Sequence, residues 1–229
     1  MNIPQDSVLP NLPLALDEAT MAQVFADLLR PHGMCVEACS VERVKYRPGR
    51  NATLAYRLQL RDAQQHAFAQ HVAARLCGGE GAARTVRASA AGLAASPAGP
   101  ALRWLPGLDM LTWWWPNDAK LRAPHVLACK RTLRERVLPA LISALAAPCA
   151  SDVDFDMAVV QYVPEHRLCA RFDLQWQQGG AAQRQRVYAK ASREPDGTTA
   201  FGLLAQLQDS PAWRDGRLHT PRALLWQPE

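Results

Sequence analysis

Two stretches, "YRPGRNATLAYRLQL" (Tyr46 to Leu60) and "YVPEHRLCARFDLQW" (Tyr162 to Trp176), align at a constant offset of 116. Tyr46/Tyr162, Pro48/Pro164, Leu58/Leu174 and Gln59/Gln175 are identical between them. The stronger signal is their shared period. Leu54, Tyr56, Leu58 and Leu60 alternate with Ala55, Arg57 and Gln59; Ala170, Phe172, Leu174 and Trp176 alternate with Arg171, Asp173 and Gln175. A two-residue period over such a run specifies a half-buried strand, because successive side chains leave a strand on opposite faces. The chain therefore carries an internal duplication.

Working outward, a further short strand precedes each stretch, Val41 to Tyr46 and Met157 to Tyr162. The Pro-containing segments Arg47 to Asn51 and Val163 to Arg167 close each pair into a hairpin. A third strand follows in each copy, "AFAQHVAARL" (Ala67 to Leu76) and "RQRVYAKAS" (Arg184 to Ser192), with Val72 and Val187 matching at offset 115. Next come helix-like runs, "GAARTVRASAAGLAAS" and "GTTAFGLLAQLQDS", and then the strand-like pieces "LPGLDMLTWWWP" and "TPRALLWQP". Two amphipathic helices flank the copies. Residues 16 to 30 place Met21, Val24, Phe25, Leu28 and Leu29 on one face, from Asp17 to Pro31. "RTLRERVLPALISALAA" does the same with Leu133, Val137, Leu138, Leu141 and Leu145, kinked or restarted at Pro139. The expected class is α+β: two related small antiparallel sheets, each with a packed helix. Residues 1–115 form a first, cap-like unit, 116–151 a helical linker and 152–229 the second unit.

Composition bounds the function without naming it. The 229 residues are 48% hydrophobic and 21% charged, enough for a sizeable core. Mean hydropathy is −0.19, and no apolar run reaches the roughly 18 residues of a membrane span. The first residues lack a basic segment ahead of an apolar one, so no signal peptide is read and a cytoplasmic protein with no membrane partner is expected. Basic residues exceed acidic ones, 26 to 21, for a net charge of +5. That excess suits an anionic partner. The only lysines are Lys45, Lys120, Lys130 and Lys190, which makes each one informative. The six cysteines form no C-x-x-C pair and read as reduced thiols.

The second copy, "VVQYVPEHRLCARFDLQ" followed by "RVYAKAS", resembles the small N-terminal lobe of the aminoglycoside phosphotransferase-like kinases, including maltokinase-like and uncharacterised bacterial members. "WWWPNDAKL" (Trp113 to Leu121) resembles the F-P-N-D-x-x-L element of that group. The resemblance implies a protein-kinase-like small lobe in the second copy, with the first copy as an additional cap. It implies ATP and Mg²⁺ as cofactors, and nucleotide plus a small-molecule substrate as partners once a large lobe is supplied. Lys190 falls where a lysine of the third strand meets the α- and β-phosphates; the turn "VPEHR" has no glycine, so a cover over the nucleotide would rely on the Arg167 or His166 side chain, of which Arg167 is taken as the second nucleotide contact. The bland alternative for Lys190 is a solvated lysine on an edge strand. Arg75 stands at the equivalent place in the first copy, a forked guanidinium unsuited to the same role.

The catalytic half of that family has no counterpart here. No H-x-D occurs among His32, His66, His71, His125, His166 and His219, so no catalytic residue is assigned. The metal-binding aspartates are expected outside this sequence, which ends about where the hinge to a large lobe would begin. "SDVDFDMAVV" presents Asp152, Asp154 and Asp156 at alternate positions, yet it precedes the second hairpin and is read as a solvated strand entry. Trp113 to Trp115 are read as buried, and nucleic acid is not an expected partner. The reading is an N-terminal portion of an ATP-dependent small-molecule phosphotransferase, incompetent alone. The alternative is a non-catalytic binding or scaffold protein built from a duplicated sheet-helix unit.

Overall fold

The computed structural model describes residues 5–77, 92–121, 123–145, 152–192 and 196–226. These divide into two units, Met1–Lys120 with Val163–Glu165, and Leu121–Tyr162 with His166–Glu229.

In the first unit a short helix α1 (Leu12–Leu16) leads into α2 (Glu18–Leu29), whose N-terminus is capped by Asp17 accepting from the Thr20 amide at 2.7 Å. Met21, Phe25 and Leu29 recur every four residues and are buried. Strands β1 (Cys35–Arg47), β2 (Asn51–Arg61), β3 (Ala67–Cys77), β4 (Leu102–Leu105) and β5 (Met110–Trp114) form one antiparallel sheet in the order β1-β2-β3-β5-β4. Gly49, at φ +65°, makes the β1–β2 turn possible. Leu54, Tyr56, Leu58 and Leu60 of β2 are all fully buried with the α2 residues, while Arg57 and Gln59 face solvent. Phe25 meets Tyr56 and Trp114 edge-on at 5.3 and 5.5 Å between centroids. The Tyr56 hydroxyl donates to the Ala15 carbonyl at 2.6 Å, which ties α1 to the sheet.

In the second unit, helices α3 (Ala123–Ala128), α4 (Lys130–Thr132) and α5 (Leu138–Ala144) precede the strands. A π-helical turn, Leu133–Val137, lies before Pro139, so the expected interruption takes the form of a widened turn and a fresh start at Leu138. Leu133, Leu138, Leu141 and Ile142 are buried. Strands β6 (Asp154–Val163), β7 (Arg167–Gln178) and β8 (Ala181–Ser192) pair in that order as an antiparallel sheet. Gly179 and Gly180, at φ +60° and +81°, join β7 to β8 in the two-residue turn that suits the strand twist. Phe155 packs on Phe172 at 6.2 Å, and helix α6 (Asp196–Gln208) follows.

The duplication extends to pairing register. Tyr56 faces Val72 across β2–β3, and Phe172 faces Val187 across β7–β8, the very residues that align at offsets 116 and 115. The two copies differ in strand number, five against three. "TPRALLWQP" was expected as a strand, and its described part, residues 220–226, forms none. It runs back along α6 instead: Gln208 donates to the Pro221 carbonyl at 2.8 Å, and Phe201 and Trp226 stack at 6.1 Å. The helix expected over "GAARTVRASAAGLAAS" lies mostly outside the described residues; residues 92–96 are not helical. No helix among the described residues is long and apolar enough to cross a membrane.

Two stability outcomes follow from the first unit. Tyr56→Phe strips the Ala15 carbonyl of a buried donor and should cost about 1–2 kcal/mol in urea titrations. Asp6 accepts from the Gly49 amide, the Tyr46 hydroxyl and the Val8 and Leu9 amides, and these bonds, Gly49 first, hold its carboxyl down at about 2 against an ordinary 3.8. A depressed folded-state value means the unfolded chain binds the proton more readily, so this contribution is complete above about pH 4 and fades as pH falls toward 2. Asp6→Asn should flatten the pH dependence of Tm in that window, and an unchanged profile would discount the anchor.

Candidate functional site: the solvent-facing side of β7 and β8

Alternation divides the β7–β8 ribbon into two chemically opposite sides. Leu168, Ala170, Phe172 and Leu174 of β7 and Val187 of β8 are buried on one. Directly opposed residues of an antiparallel pair share a face, so the pairs Arg167↔Ser192, Cys169↔Lys190, Arg171↔Tyr188, Asp173↔Arg186 and Gln175↔Arg184 occupy the other. Arg167, Arg184, Arg186, Tyr188 and Lys190 on that side are exposed.

The structure thus brings Arg167 and Lys190 onto one face, as diagonal neighbours with Cα atoms about 7 Å apart. Lys190 lies on β8, an edge strand, and Tyr188 beside it is 57% exposed. Asp173 is the one acid of β7 and β8. It accepts from Arg186 Nε at 2.6 Å and forms an ion pair with Arg171 Nε at 2.9 Å, and those two guanidiniums, Arg186 first, hold its carboxyl below the usual range. Among the described residues, Arg167, Arg184 and Lys190 have no carboxylate partner. Sequence reasoning singled out Lys190 and Arg167 and set Tyr188 on the face of Lys190 by the strand period, but passed over Arg184 and Arg186. Their two-residue spacing with Lys190 was the available signal, since it sets all four on one side of a strand.

Arg75 occupies a different environment. It sits on β3, an interior strand, and its Nη2 pairs with Glu165 Oε1. Lys120 Nζ reaches the other oxygen of Glu165 at 2.7 Å, and the Glu165 amide donates to Asp118 at 3.0 Å. Glu165 is only 5% exposed and holds φ at +65°, a left-handed conformation costly for a residue with a Cβ. Two residues of "VPEHR" therefore part ways: Arg167 opens to solvent, while the buried Glu165 is committed to an ion cluster with Arg75 and Lys120.

The fit to the implied cofactors is uneven. Arg167 and Lys190 together offer the charge and reach for a phosphate chain. Pro164 to His166 contain no glycine for close backbone approach to phosphate. Among the described residues no group of three His, Cys, Asp or Glu could hold a metal ion, and no step through Mg²⁺ is derived. Asp152, Asp154 and Asp156 are exposed, with Asp154 near Arg134 at 3.6 Å. Trp113 and Trp114 are buried at 2% and 0% exposure.

Breaking the ion cluster should expose its cost. Arg75→Met leaves the buried Glu165 carboxylate with Lys120 alone and should lower stability by roughly 3 kcal/mol. Adding Glu165→Gln, which removes the stranded charge, should recover part of that loss. If the double variant in a denaturant series is as unstable as the sum of the singles, the pair is not coupled.

Set beside known proteins, the chain matches no family model and no curated protein. Among solved structures it is similar to an "Ntf2 like protein involved in plasmid conjugation", over 71% of this chain and 74% of that one, at 8% identity and a TM-score of 0.18, a likeness too slight to bear on fold or function.

Proposed function

We propose that this chain is the cap and small lobe of an ATP-dependent phosphotransferase acting on a hydroxyl of a sugar, aminoglycoside or related metabolite, and that it does not transfer phosphate alone. The observation that supports the reading most is the shared solvent-facing side of Arg167 and Lys190, with no carboxylate among the described residues paired to either. A strand-borne lysine supplies a point charge for phosphate oxygens, and the arginine beside it a planar fork for the same group. Helix α6 follows the strand that carries Lys190, as the helix-like run "GTTAFGLLAQLQDS" predicts. Acceptor positioning and metal binding fall to groups outside this sequence, since it contains no H-x-D.

Titration of the 229-residue chain with a fluorescent ATP analogue tests this directly. Lys190→Ala should weaken binding roughly thirtyfold, the equivalent of about 2 kcal/mol for one charge-assisted contact. Undiminished binding would remove Lys190 from the role. Incubated with radiolabelled ATP, Mg²⁺ and a panel of aminoglycosides and sugars, the chain should transfer no phosphate. If the chain binds no nucleotide at all, the scaffold reading of the duplicated unit replaces this one.

A further inference from the structure

The cationic side of β7–β8 is longer than a nucleotide's phosphates require. Arg184, Arg186, Tyr188 and Lys190 stand at every second position of β8, each about 6.6 Å from the next, so the row runs about 20 Å along the edge of the sheet. Arg167 and Arg171 flank it on β7. Asp173 is shared between Arg171 and Arg186 and neutralises only one of those two charges. The exposed acids Asp154 and Asp156 lie on β6, the opposite edge strand. An aromatic ring stands within the row of cations.

We propose that this side of β7 and β8 binds single-stranded nucleic acid, with Arg184, Lys190 and Arg167 on phosphates and the Tyr188 ring stacked on an unpaired base. Charge complementarity selects a polyanion, because a row of regularly spaced cations matches a polymer that carries one charge per nucleotide. Tyr188 selects a single strand. More than half exposed at 57% and held by a rigid strand, it offers a flat π-face that a paired base inside a duplex cannot reach. Arginine, which makes up three of the four cations named on β7 and β8 beyond Arg186, adds a planar group that stacks as well as pairs. This inference does not rest on the nucleotide reading, which uses neither Arg184 nor Tyr188.

The test is fluorescence anisotropy of the full chain with a labelled oligothymidylate of about ten nucleotides, beside a duplex of equal length and phosphatidylserine vesicles. With about three phosphates neutralised, the salt slope should be near −2, a loss of roughly twentyfold between about 50 and 200 mM salt. Replacing Arg184 and Lys190 together by glutamine should lower that slope by about 1.4. Tyr188→Ala should weaken binding roughly tenfold and leave the slope unchanged, because stacking releases no counterions. All three residues are exposed, and circular dichroism of each variant checks that the fold is kept. The proposal is overturned by no binding at about 50 mM salt, by equal binding to duplex or vesicles, or by indifference to Tyr188→Ala. Binding of the ATP analogue without the oligonucleotide sinks this inference alone. Loss of oligonucleotide binding in Arg184→Gln, with ATP-analogue binding intact, supports it and separates the two readings.

Discussion

The second unit depends on the pairing of β7 with β8 in one register. With a side-chain period of two, a slip by a single residue would turn Leu168, Ala170, Phe172 and Leu174 to solvent and drive Arg171 and Asp173 into the core. Gly179 and Gly180 prevent that slip, since both central positions of the turn need φ > 0 and glycine meets the need without strain. The same register that buries the apolar set leaves every cation of the ribbon on the outer side. The cationic face is thus a consequence of core formation and not a separate arrangement.

Equivalent positions in the two copies have diverged through their surroundings. Val72 and Val187 hold matching partners, yet β3 lies between β2 and β5 whereas β8 is an edge. An arginine on an interior strand loses much of its water, and Arg75 meets that cost by pairing with Glu165, itself buried. On the edge strand no such pressure acts. Lys190 keeps its hydration and its charge stays open to a ligand.

Much of this was legible in the residues because local periods and tertiary burial agree. The hairpins, α2 and the offset duplication all come from runs in which each side chain reports the same face. β1 was read short, Val41 to Tyr46 instead of Cys35–Arg47, because bulges beside Glu37 and Glu42 break its alternation. The described part of "TPRALLWQP" forms no strand although β8 leaves an edge open; Pro221 and Trp226 are held by Gln208 and Phe201 of α6 instead. The cluster that Arg75 and Lys120 form around the buried Glu165 was invisible, since its members are far apart in sequence and no spacing rule joins them. Of the candidate face, Lys190 and Arg167 were found by likeness to a family, and the longer row by its period only once the register was known.

The shared carboxylate of Asp173 gives the cationic side its rigidity. Long arginine side chains carry substantial rotamer entropy, and a ligand that immobilises them must offset it. Arg186 and Arg171 are already oriented by Asp173, at 2.6 and 2.9 Å, so part of that ordering precedes any ligand. The pairing also fixes the sign of the face across neutral pH: Asp173 is held ionised by its two partners, Arg186 is pushed further toward its charged form by the same carboxylate, and β7 and β8 contain no histidine to titrate there. An anion approaching the ribbon therefore meets a charge pattern set by the strand register and two ion pairs, and mobile loops contribute nothing to it.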